Sequence, residues 1–333
     1  NGTHTAERRD LTEDVLRCEF GFKGLVMTDW VVGNGIMNSK DDIHPAVKPQ
    51  LVAAAGGDVF MDMVTVGGTI NVMLAATLAH GTTIIENVAK EPHIVDLANF
   101  LNTCGANIRG AGTDMIKIKG VPSLHGCTYA IIPDMIEAGT FMIAAAATRG
   151  CVRINNVIPK HLESIISKLS EMGVMIEEGE DSITVTSSGH LKGTTITTAV
   201  YPGFPTDMQP QFGALCCVAQ GMSTINEKIW ENRFAYLDEL IRMGITVTRS
   251  SNTAWFPGNQ NLMGSSVAAT DLRGGAAMVI AGLMADGVTE ITNPHYIDRG
   301  YDDLIGKLRA LGAYIDRREV FPESTPVTVN ARS

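Results

Sequence analysis

The sequence predicts an α/β protein built from repeated βαβαββ units, and three observations support this fold class. A first series of glycines, separated by 69, 71 and 66 residues, consists of Gly81, Gly150, Gly221 and Gly287. A second series, separated by 68, 71 and 68 residues, consists of Gly105, Gly173, Gly244 and Gly312. Between the two glycines of each copy lies a segment in which apolar and polar residues alternate. It is followed by a segment in which apolar residues recur three and four positions apart. Two independent markers with one period indicate a repeat fold.

The elements of one copy follow in chain order. The stretch "TINVMLAATLA", residues 69–79, is small and apolar on nearly all sides, so it predicts a buried helix that the next glycine ends as a C-cap. The stretch "TTIIENV", residues 82–88, alternates and predicts a strand. The stretch "IVDLANFLNTCG", residues 94–105, predicts a half-exposed second helix. Several copies must pack together to bury the first helices, which places helices beneath sheets. No GxGxxG follows a strand, so a Rossmann sheet is not predicted.

Composition argues against several classes of function. Of the 333 residues, 45% are hydrophobic and 19% are charged, as in a globular protein with room for two domains. A net charge of −10 without a long basic run argues against nucleic acid as a partner. The longest apolar run, "AAMVIAGLMA", is too short to span a membrane, and no signal-peptide pattern opens the chain. The six cysteines lack metal or CxxC spacing, so we expect reduced thiols, no metal, no cofactor and a cytoplasmic location.

The residues that could bind a substrate or take part in a reaction fall at equivalent positions of the repeat copies. Fourteen residues before each first glycine, at the predicted start of the first helix, the chain has Gly67, Ile136, Asp207 and Arg273. Twelve residues after it, near the start of the second helix, it has His93, Leu162, Arg233 and Arg299. Helix starts attract anions because free N–H groups and the helix dipole point outward there. The pattern predicts a site for a small anionic substrate where copies meet, the alternative being surface arginines in solvated pairs.

Several long stretches resemble one known family. They include "DMVTVGGTINVMLAATLAHGTTIIENVAKEPHIVDLANFLN", "YPGFPTDMQPQF", "ENRFAYLDELIRMG", "TDLRGGAAMVIAGL" and "HYIDRGYDDLIGKLRALGA". Over about residues 57–317 the chain resembles the UDP-N-acetylglucosamine 1-carboxyvinyltransferases, which are enolpyruvyl transferases of peptidoglycan synthesis. The resemblance implies two inside-out α/β barrels, each of three βαβαββ units. Residues 57–132 would then be the last unit of the upper domain, 133–320 the three units of the lower domain, and 321–333 a tail.

The resemblance also implies a reaction and its partners. The family transfers the enolpyruvyl group of phosphoenolpyruvate to the sugar 3-hydroxyl of UDP-N-acetylglucosamine, and releases phosphate through a tetrahedral ketal. By this resemblance Asp207 is the base at the sugar hydroxyl, although an aspartate before "MQPQF" would also suit a helix N-cap. Arg233, Arg273 and Arg299 match the arginines that hold the phosphoenolpyruvate anions or close the cleft, a task that the guanidinium fork suits.

The nucleotide sugar is expected to meet two further parts of the chain. By resemblance, Thr65, Val66 and Gly67 form the loop-to-helix start whose N–H groups take the diphosphate, and Ile229 contacts the sugar through its backbone. Two positions depart from the family pattern. Met63 stands where some members have lysine, and Met135 stands where arginine is usual.

The chain is expected to be impaired or inactive, because nothing in it matches the first two units of the upper domain. In the family, those units carry a lysine–asparagine pair and a mobile loop with the general-acid cysteine. Cys104 falls inside a predicted helix and does not match that cysteine. Loss of a general acid alone lowers a rate by about 10²–10⁴-fold.

Residues 1–56 do not continue the repeat and resemble a second family. The stretch "NGTHTAERRDLTEDVLRCEFGFKGLVMTDW" is similar to family 3 glycoside hydrolases, whose nucleophile matches Asp29. A retaining glycosidase needs two carboxyl groups about 5–5.5 Å apart, and a (β/α)₈ barrel needs about 250 residues. We therefore expect a glycosidase-like fragment in which Asp29 is inactive, and a chimeric chain.

Three functions remain open from the sequence. The first is an impaired carboxyvinyltransferase, the second is a β-glucosidase fragment, and the third is a non-catalytic repeat scaffold that binds a nucleotide sugar weakly or not at all. The oligomeric state is not predicted. For the first of these functions, the carboxyvinyltransferase, we expect a role in cell wall biogenesis and, through the cell wall, in cell shape and division.

Overall fold

The computed structural model describes residues 57–318. The predictions for residues 1–56, including Asp29, and for the tail at 321–333 lie outside these residues. Within them, no helix is both long and apolar enough to cross a bilayer. No three His, Cys, Asp or Glu side chains in this part of the chain come together as a metal site.

The first repeat unit follows the predicted order βαβαββ. Its elements are β1 (Gly57–Phe60), α1 (Val66–Thr77), β2 (Thr82–Glu86), α2 (Pro92–Thr103), β3 (Ile108–Arg109) and β4 (Met115–Lys119). The strands form one sheet in the order β1-β2-β4-β3, in which only the β1–β2 pair is parallel. Helix α1 begins after an N-cap threonine, and α2 begins with a proline in its first turn, where the missing N–H costs no bond.

The second unit lacks a first strand among the described residues. Its elements are α3 (Met135–Ala147), β5 (Cys151–Asn155), a 3₁₀ turn (Pro159–Leu162), α4 (Glu163–Glu171), β6 (Met175–Glu178) and β7 (Ser182–Thr186). The sheet order is β5-β7-β6, and all pairs are antiparallel. Within residues 57–318, β5 therefore has no parallel neighbouring strand, whereas β2 of the first unit pairs with the parallel strand β1.

The third unit repeats the sheet of the first. Its elements are β8 (Thr195–Thr197), a 3₁₀ turn (Thr206–Met208), α5 (Gln209–Val218), β9 (Ser223–Asn226), α6 (Tyr236–Arg242), β10 (Thr248–Ser250) and β11 (Thr253–Phe256). The order β8-β9-β11-β10, with β8 and β9 parallel, matches β1-β2-β4-β3 position by position. The fourth unit contains β12 (Ser266–Ala268), α7 (Leu272–Met284), β13 (Glu290–Thr292), α8 (His295–Asp298) and α9 (Leu304–Ala310). Its strands β12 and β13 are parallel.

The first helices of the last three units form a common core, as the sequence predicts. Helices α3, α5 and α7 pack against one another, and most of their residues are buried. One large apolar cluster joins them to the surrounding sheets, whereas a separate cluster fills the unit at residues 57–119. Helices therefore lie inside and sheets outside, which is the predicted inversion of the usual α/β order.

The repeated glycines serve two structural purposes. All four glycines of the second series follow a second helix with φ between +88° and +100°, a region that disfavours residues with a Cβ. In the first series, Gly81, Gly221 and Gly287 also have positive φ, but Gly150 does not, because Arg149 takes the left-handed conformation instead. The prediction that the first-series glycine is the C-cap of its helix is wrong in all four units, because the C-cap residues are Leu78, Thr148, Ala219 and Ala285 and each glycine lies two or three residues further on.

The segment between the first two units runs along α2. The Tyr129 hydroxyl donates to Asp96 Oδ1 at 2.8 Å, and the His125 N–H donates to the Cys104 carbonyl at 2.9 Å. Cys104 is the C-cap residue of α2, and its Sγ lies 3.2 Å from the Sγ of Cys127. Cys104 is thus a buried thiol at a helix end, not the acid of a mobile loop.

Candidate active site

Asp207 lies at the centre of a cluster of charged side chains. It belongs to the 3₁₀ turn that leads into α5, and helix α5 itself has no side-chain N-cap bond. The interpretation of Asp207 as a helix cap is therefore wrong. Its Oδ1 accepts from Arg233 Nη2 at 2.7 Å, and its Oδ2 accepts from Arg273 Nη2 at 3.0 Å and Nε at 3.2 Å. Asp207 is thus paired with Arg233 of its own unit and with Arg273 of the next unit.

Arg273 is held by its position at the start of α7. Asp271 caps this helix, and its Oδ1 accepts from the backbone N–H groups of Arg273 and Gly274 at 2.8 and 2.9 Å. The Arg273 guanidinium lies 5.9 Å from the ring centre of Tyr301. Its Nη1 is buried and has no hydrogen-bond partner among residues 57–318. A buried guanidinium donor without an acceptor is unfavourable, so this group is well suited to receive an anion.

Arg233 approaches Asp207 from the turn that precedes α6. Its Nη1 donates to Thr206 Oγ1 at 2.8 Å, while Nη2 holds Asp207. The guanidinium also lies 6.0 Å from the ring centre of Trp230. Because the fork is bound at two points, the direction of Arg233 is fixed before any ligand arrives.

The arginines control the charge state of Asp207. Burial by itself raises the pKa of this carboxyl, but Arg273 and Arg233 more than compensate and hold the pKa below its usual value. In turn, burial lowers the pKa of Arg273, whereas Asp207 and Tyr301 raise it above its ordinary value. The Asp207 side chain keeps 38% of its surface exposed although protein atoms crowd it. The cluster therefore carries one net positive charge and remains accessible to solvent.

Arg299 is placed differently from the other two arginines. It is the C-cap residue of the short helix α8, it is exposed, and α8 packs against α7. The ion pairs of Asp207 come from Arg233 and Arg273. The equivalence of the three arginines by sequence position does not extend to these contacts.

The residues predicted to hold the nucleotide sugar have contrasting environments. Thr65 is the N-cap of α1, and its Oγ1 accepts from the Gly68 N–H at 3.4 Å. Val66 and Gly67 are the first two residues of α1, and N–H groups at these positions have no partner within the helix and point out of its start, as an anion site requires. The Ile229 N–H, by contrast, donates to Glu227 Oε1 at 2.8 Å. A backbone contact from Ile229 to a ligand is therefore left to its carbonyl oxygen.

Sequence reasoning missed two residues of this region. Glu227 and Thr206 link the Ile229 turn to Arg233 through partly buried hydrogen bonds. The signal available in the sequence was a glutamate directly after the strand "STIN", where the alternation of that strand predicts a buried position.

Comparisons with known proteins agree with this fold. Inward-packed helices, outward sheets and an aspartate held by arginines from two repeat units are together the arrangement expected of an enolpyruvyl transferase. The family profile of EPSP synthase (3-phosphoshikimate 1-carboxyvinyltransferase) matches residues 33–308. The chain belongs to this enolpyruvyl transferase family, which confirms the predicted resemblance. The match begins upstream of residue 57, and none of these comparisons supports a glycoside hydrolase resemblance of residues 1–56.

Curated relatives share long stretches with the chain. It is 58% identical over 274 residues to a UDP-N-acetylglucosamine 1-carboxyvinyltransferase of Clostridium botulinum, an alignment that covers 82% of this chain and 66% of the relative. It is 57% identical over 274 residues to the enzyme numbered 3 of that name from Caldanaerobacter subterraneus, with the same two coverages. The chain thus spans just under two thirds of the length of these relatives.

Solved structures agree on the fold. The enolpyruvyl transferase NikO from Streptomyces tendae superposes with a TM-score of 0.68 at 31% identity, and the match covers 74% of this chain and 59% of NikO. EPSP synthase from Acinetobacter baumannii superposes with a TM-score of 0.57 at 20% identity, over 74% of this chain and 60% of that one. The second match supports the fold alone.

Proposed function

We propose that the chain provides part of the active site of a UDP-N-acetylglucosamine 1-carboxyvinyltransferase, the part that holds the sugar 3-hydroxyl and the anions of phosphoenolpyruvate. The observation that carries the proposal is Asp207 held between Arg233 and Arg273 at the start of two helices. The names of the curated relatives support UDP-N-acetylglucosamine as the acceptor and a carboxyvinyl group as the group transferred. Phosphoenolpyruvate as the donor and a role in peptidoglycan synthesis are part of the proposal.

The reaction needs a base and cations at one point. The sugar oxygen bonds to C2 of phosphoenolpyruvate, its proton leaves, and C3 gains a proton. The tetrahedral adduct then loses a C3 proton and its phosphate, which regenerates the double bond. Positively charged groups stabilise the phosphate and carboxylate, and a carboxylate takes the hydroxyl proton.

In the absence of ligand, Asp207 is a weak base because both of its oxygens are bonded to arginines. A phosphoenolpyruvate anion that draws Arg233 and Arg273 away would release the carboxylate and raise its pKa. The buried Nη1 of Arg273, which has no acceptor in the part of the chain that the structure describes, offers a first contact for that anion. Substrate binding would thus produce the base that the reaction needs, with Arg299 as a further cation of the same cleft.

The nucleotide sugar would bind beside this cluster. The N–H groups of Val66 and Gly67, with the Thr65 cap, would face the diphosphate, and the Ile229 carbonyl would accept from the sugar. Met63 is 54% exposed near the same helix start, and it supplies no cation there.

We propose that the 333-residue chain alone turns over slowly or not at all, because its alignment covers 66% of the length of its relatives. Its five described cysteines are free thiols, which supports a cytoplasmic location. Non-catalytic scaffolding is the alternative outcome.

Calorimetry and a phosphate-release assay test the proposal together. We expect phosphoenolpyruvate to bind with a dissociation constant below about 1 mM, and Arg273→Met to abolish that binding. Arg249→Met is the matched control, since Arg249 also pairs with an aspartate, Asp238, in the third unit but on an exposed surface. No detectable binding of phosphoenolpyruvate or UDP-N-acetylglucosamine would favour the scaffold. Phosphate release as fast as that of full-length relatives would refute only the impairment.

A further inference from the structure

Glu227 is a buried carboxylate without an ion pair to any described cation. It follows β9 directly, and only 1% of its surface is exposed. Its Oε1 accepts from the Thr198 hydroxyl at 2.7 Å and from the N–H groups of Ile229 and Trp230 at 2.8 and 3.1 Å. Its Oε2 accepts from the Thr206 hydroxyl at 2.8 Å. Burial of a carboxylate is costly, so four donors directed at one side chain indicate a specific task.

The Thr206 hydroxyl connects Glu227 to the charged cluster. Its oxygen accepts from Arg233 Nη1 at 2.8 Å, and Arg233 Nη2 holds Asp207 at 2.7 Å. A carboxylate has no proton to donate, so the Thr206 hydroxyl must donate to Glu227 and keep its lone pairs for Arg233. Glu227 therefore fixes the direction of the hydroxyl that fixes the arginine.

The same carboxylate also shapes the turn that carries Ile229. With the Ile229 and Trp230 amides both directed at Oε1, the two peptide groups are held in one orientation, and the Ile229 N–H is occupied. One side chain thus couples the backbone proposed to face the sugar to the arginine proposed to face the phosphoenolpyruvate.

We propose that Glu227, acting through Thr206, is a positioning residue that holds Arg233 against Asp207 and orients the Ile229 turn. The effect of Glu227 on substrate binding rests on the function proposed above, whereas its effect on the charge state of Asp207 does not depend on that function. A purely structural role, in which Glu227 only ties the strand ends together, predicts a loss of stability without any change in the charge state of Asp207.

Titration of the Asp207 carboxyl by carbon-13 NMR separates the two roles. The resonance is assigned by its absence in Asp207→Asn. Thr206→Val keeps the shape of the side chain but removes the hydroxyl, so Arg233 loses one of its two anchors. An arginine beside an aspartate lowers the aspartate pKa by about 1–3 units, so partial release of one of two arginines should raise it by about 0.5–1 unit. Thr206→Ser, which restores the hydroxyl, should leave the titration unchanged.

Glu227→Gln provides a second variant of nearly the same size. It should raise the Asp207 pKa in the same direction and weaken phosphoenolpyruvate binding several-fold in calorimetry. An unchanged Asp207 titration in folded Thr206→Val and Glu227→Gln would overturn the positioning role, whether or not phosphoenolpyruvate binds. Failure of both variants to fold would also overturn it, since the two side chains would then serve stability alone. A raised pKa without phosphoenolpyruvate binding by the unaltered chain would support the positioning role and refute the proposed function.

Discussion

Replacement of Asp207 by asparagine should tighten anion binding while it removes the proposed base. In the ligand-free structure the carboxylate competes with any anion for Arg233 and Arg273. The asparagine side chain would keep the shape of the aspartate but lose its charge, so both guanidinium groups would become available. The effect is opposite to that of removing an ordinary ligand-binding residue, which makes it diagnostic.

The magnitude follows from the exposure of the pair. A charge pair 4 Å apart is worth about 4 kcal/mol at an effective dielectric constant of 20, but exposed pairs contribute only about 0–1 kcal/mol. Asp207 is 38% exposed, so we assign about 1 kcal/mol to each arginine and about 2 kcal/mol in total. An asparagine carbonyl still accepts a hydrogen bond, so the net gain should be about 1.4 kcal/mol, or about tenfold in affinity.

Calorimetric titration with inorganic phosphate and with phosphoenolpyruvate, at constant ionic strength, measures this gain. Asp238→Asn serves as the control, because Asp238 also pairs with an arginine but lies on the exposed surface of α6. It should leave both affinities unchanged. Weaker or unchanged phosphate binding by Asp207→Asn would show that the carboxylate does not block the anion site.

Three further predictions follow from the same structure. Because arginines hold the pKa of Asp207 below its usual value, the contribution of Asp207 to stability is present above about pH 4 and is lost as the pH falls through the folded-state pKa. As the pH falls below about 4, urea unfolding should therefore show a larger loss of stability in the unaltered chain than in Asp207→Asn. Burial raises the pKa of Cys216 to about 12 and also raises that of Cys217, so neither thiol should react with a disulfide reagent at neutral pH until the chain is unfolded by guanidinium. Gly221→Ala meets no atom within 4 Å but has φ +88°, so it should cost about 1–2 kcal/mol in urea unfolding, whereas Gly150→Ala, at the equivalent position without positive φ, should cost clearly less.

The repeat fold was predictable because its markers are local. A glycine with left-handed φ after each second helix leaves a trace at one position per copy, and the buried first helices are apolar on all sides. The identity of the residue that takes the left-handed conformation was less predictable. Arg149 rather than Gly150 does so in the second unit, and nothing in the local pattern distinguishes that copy from the others.

The candidate site was predictable in its residue types more than in its contacts. Equivalent helix starts identified Asp207, Arg233 and Arg273, and the structure joins them by ion pairs. The same equivalence grouped Arg299 with them, but that residue lies on the exposed end of α8. Glu227 escaped notice because its task depends on Thr206, 21 residues earlier in the chain, and such a contact leaves no periodic signal.

The most direct test of the proposed anion site is a crystal structure of the chain with phosphoenolpyruvate. We predict that the ligand lies on Arg233 and Arg273, with both guanidinium groups moved off Asp207 and the carboxylate free to face a sugar hydroxyl. Arginines still paired with Asp207, with the ligand elsewhere or absent at saturating concentration, would contradict this prediction.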